Sequence, residues 1–298
     1  FEQALDACSR TLGEEHSQTL TARAGLATAM AEAGDLRAAR PLFADALEAR
    51  RRTLGEDHPD TLRSACDLGE VLTDSGELDE ARRLGTSTLE TSRRTLGDRH
   101  PNTLRAMIVL GRTQHASNQL GAARRLADEA FNGSHDVLGE AHPQTVRAMR
   151  LLAVTQWALS NLHAARPLFE QVHERSRSAF GEDHPNTLRA AYDLAGTVGE
   201  QGDLDTAEPL LEQALEGQRK VLGEEHEDTL RSMDYRADIL ASRGKQKEAR
   251  AQAKRTLAIS RRSLGEAHPA TMARKRKLAS LGGGQPQGRV AGWLGGRG

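Results

Sequence analysis

The amino-acid sequence predicts an all-α protein built from stacked antiparallel helix pairs. Three observations lead to this prediction: a 42-residue internal repeat, start and stop signals for two helices in each repeat, and an aromatic content of only 3% in 298 residues. Internal repeats of roughly 20–50 residues are typical of solenoids and other repeat arrays. The low aromatic content argues against a β-sandwich or β-barrel, because their cores depend on large rings and β-branched side chains.

The repeat is defined by a Leu-Gly dipeptide, a histidine and a threonine, which in the second copy are Leu54-Gly55, His58 and Thr61. The dipeptide recurs every 42 residues, and Phe180-Gly181 replaces it once. The histidines in register are His16, His58, His100, His142, His184, His226 and His268. A pattern this regular predicts a turn of the same structure in every repeat.

The first helix of each repeat, helix A, begins just after this histidine. In the second repeat, proline at the first helical position and an acid in the first turn mark the start. An apolar stripe follows at Leu62, Ala65, Leu68, Gly69 and Leu72. Gly76 is expected to end the helix in a left-handed conformation, and the same position is occupied by Gly34, Asn118, Gly202 and Gly244.

The second helix, helix B, carries an alanine at one fixed position, which indicates close helix–helix approach. These alanines are Ala39, Ala81, Ala123, Ala165, Ala207 and Ala249. Helix B of the second repeat is expected to end at Leu96-Gly97. In the third repeat, the segment 131–134 (FNGS) places weak helix formers inside helix B and predicts a weak segment there.

A helix pair with small residues at its contacts resembles the tetratricopeptide repeat, and LGEDHPDTL at 54–62 with AARPLF at 38–43 is similar to the 42-residue kinesin-light-chain type. The resemblance extends over residues 1–281. It implies a right-handed α-α superhelical solenoid whose A helices line a concave groove for peptides or proteins. It therefore implies a protein-protein or peptide-binding scaffold. Such arrays also occur in bacterial multidomain proteins, so a sensor or regulatory role in a larger signalling protein is expected.

The repeat register divides the chain into three parts. We expect residues 1–10 to be a partial helix B of a truncated repeat. Residues 11–281 are expected to form six full helix pairs and a C-terminal capping helix. Residues 282–298, which include Trp293, are expected to be a disordered Gly-rich tail. Because the chain begins inside a helix B, we expect it to continue from an upstream domain of a longer protein. The uncapped first helix also permits an alternative function, a structural or self-assembly module that stacks through this repeat.

Composition and motifs exclude several classes of protein. Lys+Arg 41 against Asp+Glu 42 gives a net charge of −1, which argues against a nucleic-acid or membrane-surface binder. Equivalent histidines in successive repeats are expected roughly 16–20 Å apart, whereas zinc ligands lie about 2 Å from the ion. The sequence shows no phosphate-binding loop and no nucleophile–base motif, so we expect no enzyme activity, cofactor or metal. Cys8 and Cys66 form no disulfide framework, and a cytoplasmic location is expected.

Two rows of charge recur around the Leu-Gly turns. Basic pairs end helix B at Arg51-Arg52, Arg93-Arg94, Arg219-Lys220 and Arg261-Arg262, and acids follow the dipeptide. Both placements match the helix dipole, and we expect the rows to neutralise each other. The run Arg274-Lys275-Arg276-Lys277 either contacts an anionic partner or forms a solvated capping face. The second interpretation is favoured, since consecutive residues spread around a helix.

By the resemblance, the groove positions of helix A carry a row of arginines: Arg63, Arg105, Arg147, Arg189 and Arg231. Arginine donates paired hydrogen bonds to carboxylates, so the row suits an acidic or C-terminal peptide. The alternative, which the sequence leaves open, is that each arginine pairs within the chain, as Arg63 with Asp60.

Between the central arginines lie residue types that dominate binding interfaces. These further groove candidates are Ile108, Arg112, His115, Arg150, Val154, Trp157 and Tyr192. Trp157 is alternatively a core residue. Tetratricopeptide proteins of this type carry paired asparagines on helix A, and none stands at 66–67, 108–109, 150–151, 192–193 or 234–235. Recognition is therefore expected to depend on the groove side chains particular to this chain.

Overall fold

A computed structural model describes residues 1–281, which form fourteen α-helices and no strand within that range. In chain order the helices are α1 (Glu2–Leu12), α2 (Ser17–Glu32), α3 (Leu36–Leu54), α4 (Pro59–Asp74), α5 (Leu78–Leu96), α6 (Pro101–Ala116), α7 (Leu120–Leu138), α8 (Pro143–Ala158), α9 (Leu162–Phe180), α10 (Pro185–Glu200), α11 (Leu204–Val221), α12 (Glu227–Ser242), α13 (Gln246–Leu264) and α14 (Pro269–Ser280). Even-numbered helices are A helices and odd-numbered helices are B helices. The all-α fold class is confirmed. The expected tail at 282–298, with Trp293, lies outside the described residues.

The chain divides into two compact units, Phe1–Leu159 and Ser160–Gly298. The first contains α1 to α8, and the second contains α9 to α14. Within each unit every helix packs against its neighbours in the chain, and A helices also pack on one another: α4 on α6, α6 on α8, and α10 on α12. Within residues 1–281, none of the helices combines the length and the apolar character needed to cross a membrane.

The turn from helix B to helix A is built from the three motif residues. In the turn before α8, Gly139 adopts a left-handed φ of 84°, a conformation that a residue with a Cβ resists. His142 is the N-cap of α8, and its Nδ1 accepts a hydrogen bond from the Gln144 N–H at 3.1 Å. The Thr145 hydroxyl donates back to the Gly139 carbonyl at 2.8 Å.

Histidine is the N-cap of all seven A helices, and its side chain accepts a backbone N–H in each of them. The interpretation that these histidines shape the turn is confirmed. Residues 1–281 contain no group of three or more His, Cys, Asp or Glu side chains placed to hold a metal ion. The turn from helix A to helix B contains a residue with a left-handed φ. At Asn118 (φ 58°) this was expected from the sequence. Ser160 (φ 60°) occupies the equivalent position in the next repeat and was not predicted.

Small residues set the helix–helix contacts. The six alanines at the fixed position of helix B are completely buried, as the sequence predicts. The segment 131–134 lies inside the continuous helix α7, so its weak helix formers do not interrupt the helix. Gly133 serves packing instead: a Cβ there would lie 2.5 Å from Cδ2 of the buried Leu104.

A second repeated position places a buried residue in helix B and another buried residue 14 positions later in the next helix A. A large side chain occurs in such a pair only where its partner is serine, and the two form a hydrogen bond. Ser232 Oγ donates to Gln218 Oε1 at 2.6 Å, and Arg274 Nη1 donates to Ser260 Oγ at 3.1 Å. The six pairs are Arg50/Ser64, Ser92/Ala106, Ser134/Ala148, Ser176/Ala190, Gln218/Ser232 and Ser260/Arg274.

The interpretation of the basic run on α14 as a solvated face is wrong for two of its four residues. Arg274 is only 4% exposed and bonds Asp234 at 2.8 Å and Glu227 at 2.9 Å. Lys277 pairs with Asp238 at 2.6 Å, whereas Lys275 and Arg276 are exposed. These partners lie about a repeat earlier in the chain, on α12, so the sequence run alone does not reveal them.

Candidate functional site

In the first unit the arginine row belongs to a cluster of ion pairs on the surface of three adjacent A helices. We call this surface the acid–arginine cluster. It consists of Asp67, Glu70 and Asp74 on α4, Arg105 and Arg112 on α6, and Arg147 on α8. Each of its three arginines is paired with at least one of its three carboxylates, so these arginines do not form an uncompensated positive row.

Glu70 lies at the centre of this cluster. Its Oε2 is 2.8 Å from Arg147 Nη2 and 3.8 Å from Arg112 Nη1, and its Oε1 is 3.1 Å from Arg105 Nη2. Burial by itself would raise the pKa of this carboxyl group. The charges of Arg147, Arg105 and Arg112 outweigh burial and lower the Glu70 pKa to about 2. Glu70 therefore stays ionised at neutral pH.

Asp67 and Asp74 complete the pairing of the two α6 arginines. Arg105 Nη2 lies 2.6 Å from Asp67 Oδ1, and Arg112 Nη2 lies 2.8 Å from Asp74 Oδ1. Burial opposes the charge of Arg105, but the carboxylates of Glu70 and Asp67 raise its pKa. The side chains of Arg105 and Arg112 are each about one-fifth exposed, whereas the side chain of Arg147 is about half exposed.

Arg147 contributes to the lining of an open pocket of about 330 Å³. The pocket is lined by Glu70, Arg105, Ile108, His142, Pro143, Gln144 and Arg147. Ile108 supplies an apolar wall, and the start of α8 supplies the residues 142–144. Pockets that combine an apolar wall with a few polar groups are typical ligand sites.

The other arginines of the row are paired as well. Arg63 pairs with Asp60 at 3.2 Å on its own helix, as the alternative interpretation proposed. In the second unit, Arg189 and Arg231 both pair with Asp228 of α12, and their charges lower its pKa despite its burial. The sequence left pairing and ligand binding equally open, and the structure shows pairing at every arginine of the row.

Tyr192 is buried rather than presented to a partner. The guanidinium carbon of Arg231 lies 5.4 Å from the centre of its ring, and the ring of Tyr235 meets it edge-on at 6.1 Å. Burial raises the pKa of Tyr192. Arg231 and Tyr192 therefore form part of the packed interior between α10 and α12.

Four of the remaining candidates do not line this pocket. Val154 is buried, and Ile108 is buried except where it lines the pocket. His115, Arg150 and Trp157 are half-buried, and the pocket described above is lined by other residues. Of the twelve residues expected in the groove, Arg105, Ile108 and Arg147 line one pocket.

The sequence reasoning missed the acids of the cluster. Asp67, Glu70 and Asp74 are spaced three and four residues apart, which places them on one face of α4. Arg105 and Arg112 have the matching seven-residue spacing on α6. This complementary spacing is the signal that would have found them.

Comparison with known proteins places this architecture in a family. The tetratricopeptide repeat family model matches residues 1–52, 32–93, 68–134, 155–220 and 198–262. No curated protein matches the sequence.

Solved structures share the fold. Nearly identical TPR-like repeats assigned to a kinesin light chain of Podosopora anserina are 26% identical over 67% of this chain and 95% of that chain, with a TM-score of 0.52. BtubC (BKLC) from P. vanneervenii is 18% identical over 74% and 92%, with a TM-score of 0.58. The Rap conjugation gene regulator of plasmid pLS20, solved in complex with the Phr* peptide, is 12% identical over 86% and 67%, with a TM-score of 0.67.

Proposed function

Because the chain belongs to the tetratricopeptide repeat family, we propose that it is a non-catalytic scaffold that binds a protein or peptide on its A-helix surface. The observation that carries this proposal is the pocket between α4, α6 and α8, where an apolar wall and a half-exposed arginine meet. Hot spots of protein interfaces combine packed apolar contact with arginine in this way.

We propose that the ligand presents an acidic side chain to Arg147. Among the described residues, Arg147 pairs with Glu70 through Nη2, and the guanidinium group has further N–H donors in a fixed fork. A ligand carboxylate can therefore bond the exposed edge of Arg147, while the ligand's methylene groups contact Ile108. Arg105 and Arg112 are engaged by α4 and act mainly by holding Glu70.

A peptide-array pull-down with the full chain tests this proposal. Arg147→Glu is expected to lose at least about tenfold of the binding to the best peptides, because it reverses the charge that meets the ligand. Trp157→Ala tests whether the binding surface continues along α8.

The matched control is Arg94→Glu, which reverses an exposed arginine of the same unit that pairs with Asp57 at 2.9 Å and does not line the pocket. Binding that survives Arg147→Glu unchanged, or that is lost equally in the control, would contradict the proposal. Circular dichroism of each variant verifies that it is folded.

The wider setting is part of the proposal. We place the scaffold in a bacterial cytoplasm as the sensor or regulatory part of a larger signalling protein, an inference that rests on the family resemblance. The reading frame that encodes the chain tests it. A nucleotide-binding domain fused upstream supports the sensor role, and a frame without any signalling domain argues against it.

A further inference from the structure

Glu70 connects two helices within the acid–arginine cluster. It pairs with Arg105 of α6 and also reaches across to α8, where it pairs with Arg147. The Glu70 side chain is 19% exposed and the Arg147 side chain is 48% exposed. The carboxylate of Glu70 thus occupies one edge of the arginine that faces the pocket.

Apart from Glu70, the groups around the pocket favour an anion. The His142 Nδ1 accepts the Gln144 N–H, so the neutral ring carries its proton on Nε2 and can donate a hydrogen bond. The start of α8, at Pro143, presents the positive end of the helix dipole. Among the described residues that line the pocket, Glu70 is the one carboxylate.

We propose, on the basis of the function proposed above, that Glu70 is a built-in competitor for the acidic group of the ligand. The ligand carboxylate binds the exposed edge of Arg147 while Glu70 holds the other edge and repels it. Glu70 therefore sets how strongly the pocket prefers acidic peptides.

The size of the effect follows from the distances. A carboxylate on the far edge of Arg147 would lie about 6 Å from the Glu70 carboxylate. With an effective dielectric constant of about 40, between about 20 near a protein surface and about 80 in water, two like charges at that separation repel by an amount equivalent to about tenfold in affinity. Replacing Glu70 by its neutral isostere, glutamine, removes this repulsion together with one negative charge of the cluster.

The experiment uses fluorescein-labelled tetraglutamate and tetraglutamine peptides with the same Gly-Ser flanks, measured by fluorescence polarisation against the full chain. Glu70→Gln is expected to bind tetraglutamate about tenfold more tightly than the wild type does, with tetraglutamine unchanged. The gain should shrink as salt is raised, because it is electrostatic. The double variant Glu70→Gln/Arg147→Ala should lose the gain, since Arg147 is the group released.

Asp57→Asn is the matched control, because it removes one exposed negative charge from the same unit away from the pocket. The proposal is overturned if Glu70→Gln does not tighten tetraglutamate binding, if tetraglutamine gains equally, or if the control shows the same gain.

Arg147→Ala provides a second measurement that does not depend on the stability of Glu70→Gln. It must abolish the preference for tetraglutamate over tetraglutamine, and a preference that persists overturns the proposal. If peptides from the array depend on Arg147 but do not respond to Glu70→Gln, the competitor role fails while the proposed function stands. If no peptide depends on Arg147, both fail.

Discussion

Replacing Gly133 by alanine tests whether close helix packing, rather than helix propensity, accounts for the glycine in the middle of α7. Glycine in a helix interior usually costs stability, so alanine there would ordinarily stabilise the protein by about 0.5–1 kcal/mol. At this position the new Cβ would lie 2.5 Å from Leu104 Cδ2 and 3.6 Å from Leu104 Cγ. Carbon atoms in contact are normally about 3.5–4.0 Å apart, so Leu104 must move by about 1 Å.

The clash is expected to outweigh the gain in propensity. Leu104 is buried against α7, and overpacking of a core residue costs about 1–3 kcal/mol. The net effect of Gly133→Ala is therefore a loss of about 1–2 kcal/mol. Gly121→Ala in the same helix is the control, because no atom lies within 4 Å of its new Cβ and only the gain in propensity remains.

Hydrogen exchange of the amides of α6 and α7, read by mass spectrometry, is the appropriate assay. The chain has two compact units, so its unfolding need not be a single two-state transition, and a local measurement avoids that assumption. Protection of α7 should fall in Gly133→Ala and be unchanged or higher in Gly121→Ala. Equal or greater protection in Gly133→Ala than in the wild type would refute the packing argument.

Two further predictions concern a helix cap and the acid–arginine cluster. His100→Ala should lower the local stability at the start of α6 by about 1 kcal/mol, because His100 Nδ1 accepts the Asn102 N–H at 3.1 Å. His100→Asp should retain most of this stability, since aspartate is also a good N-cap residue. Hydrogen exchange of the first turn of α6 distinguishes the two variants. The Glu70 pKa is lowered from 4.5 to about 2 in the folded protein, so its contribution is present above about pH 4.5 and is lost as the pH falls towards 2. The free energy of unfolding lost in this way amounts to up to about 3 kcal/mol. The urea midpoint of Glu70→Gln should therefore depend less on pH between 5 and 3 than that of the wild type. Parallel pH profiles of the two proteins would contradict this prediction.

The helices and their ends were predictable because their signals are local. A left-handed glycine, an N-cap histidine and a buried threonine act within one turn, as Gly139, His142 and Thr145 do. The alanine at the fixed position of helix B was also predictable, because a small residue that returns at the same place in every repeat indicates a close helix contact. These features depend on residues close in sequence, so the repeat register is sufficient to recognise them.

The candidate site was only partly predictable because its charges pair over long separations. Arg147 and Glu70 are 77 residues apart, and Arg105 and Asp67 are 38 apart. Nothing in the register of helix A indicates which acid a given arginine will meet. The same reason accounts for the wrong interpretation of Arg274, whose carboxylate partners lie 40 and 47 residues earlier in the chain.

Sequence was therefore enough to establish an all-α array of helix pairs, the ends of its helices and a family of interaction scaffolds. Tertiary structure decided the charge of the candidate surface. A row of arginines attracts acidic ligands only if it is not already neutralised, and neutralisation depends on which helices lie side by side. By packing α4 against α6 and α6 against α8, the fold brings Glu70 to Arg147 and leaves one half-exposed guanidinium group beside a pocket.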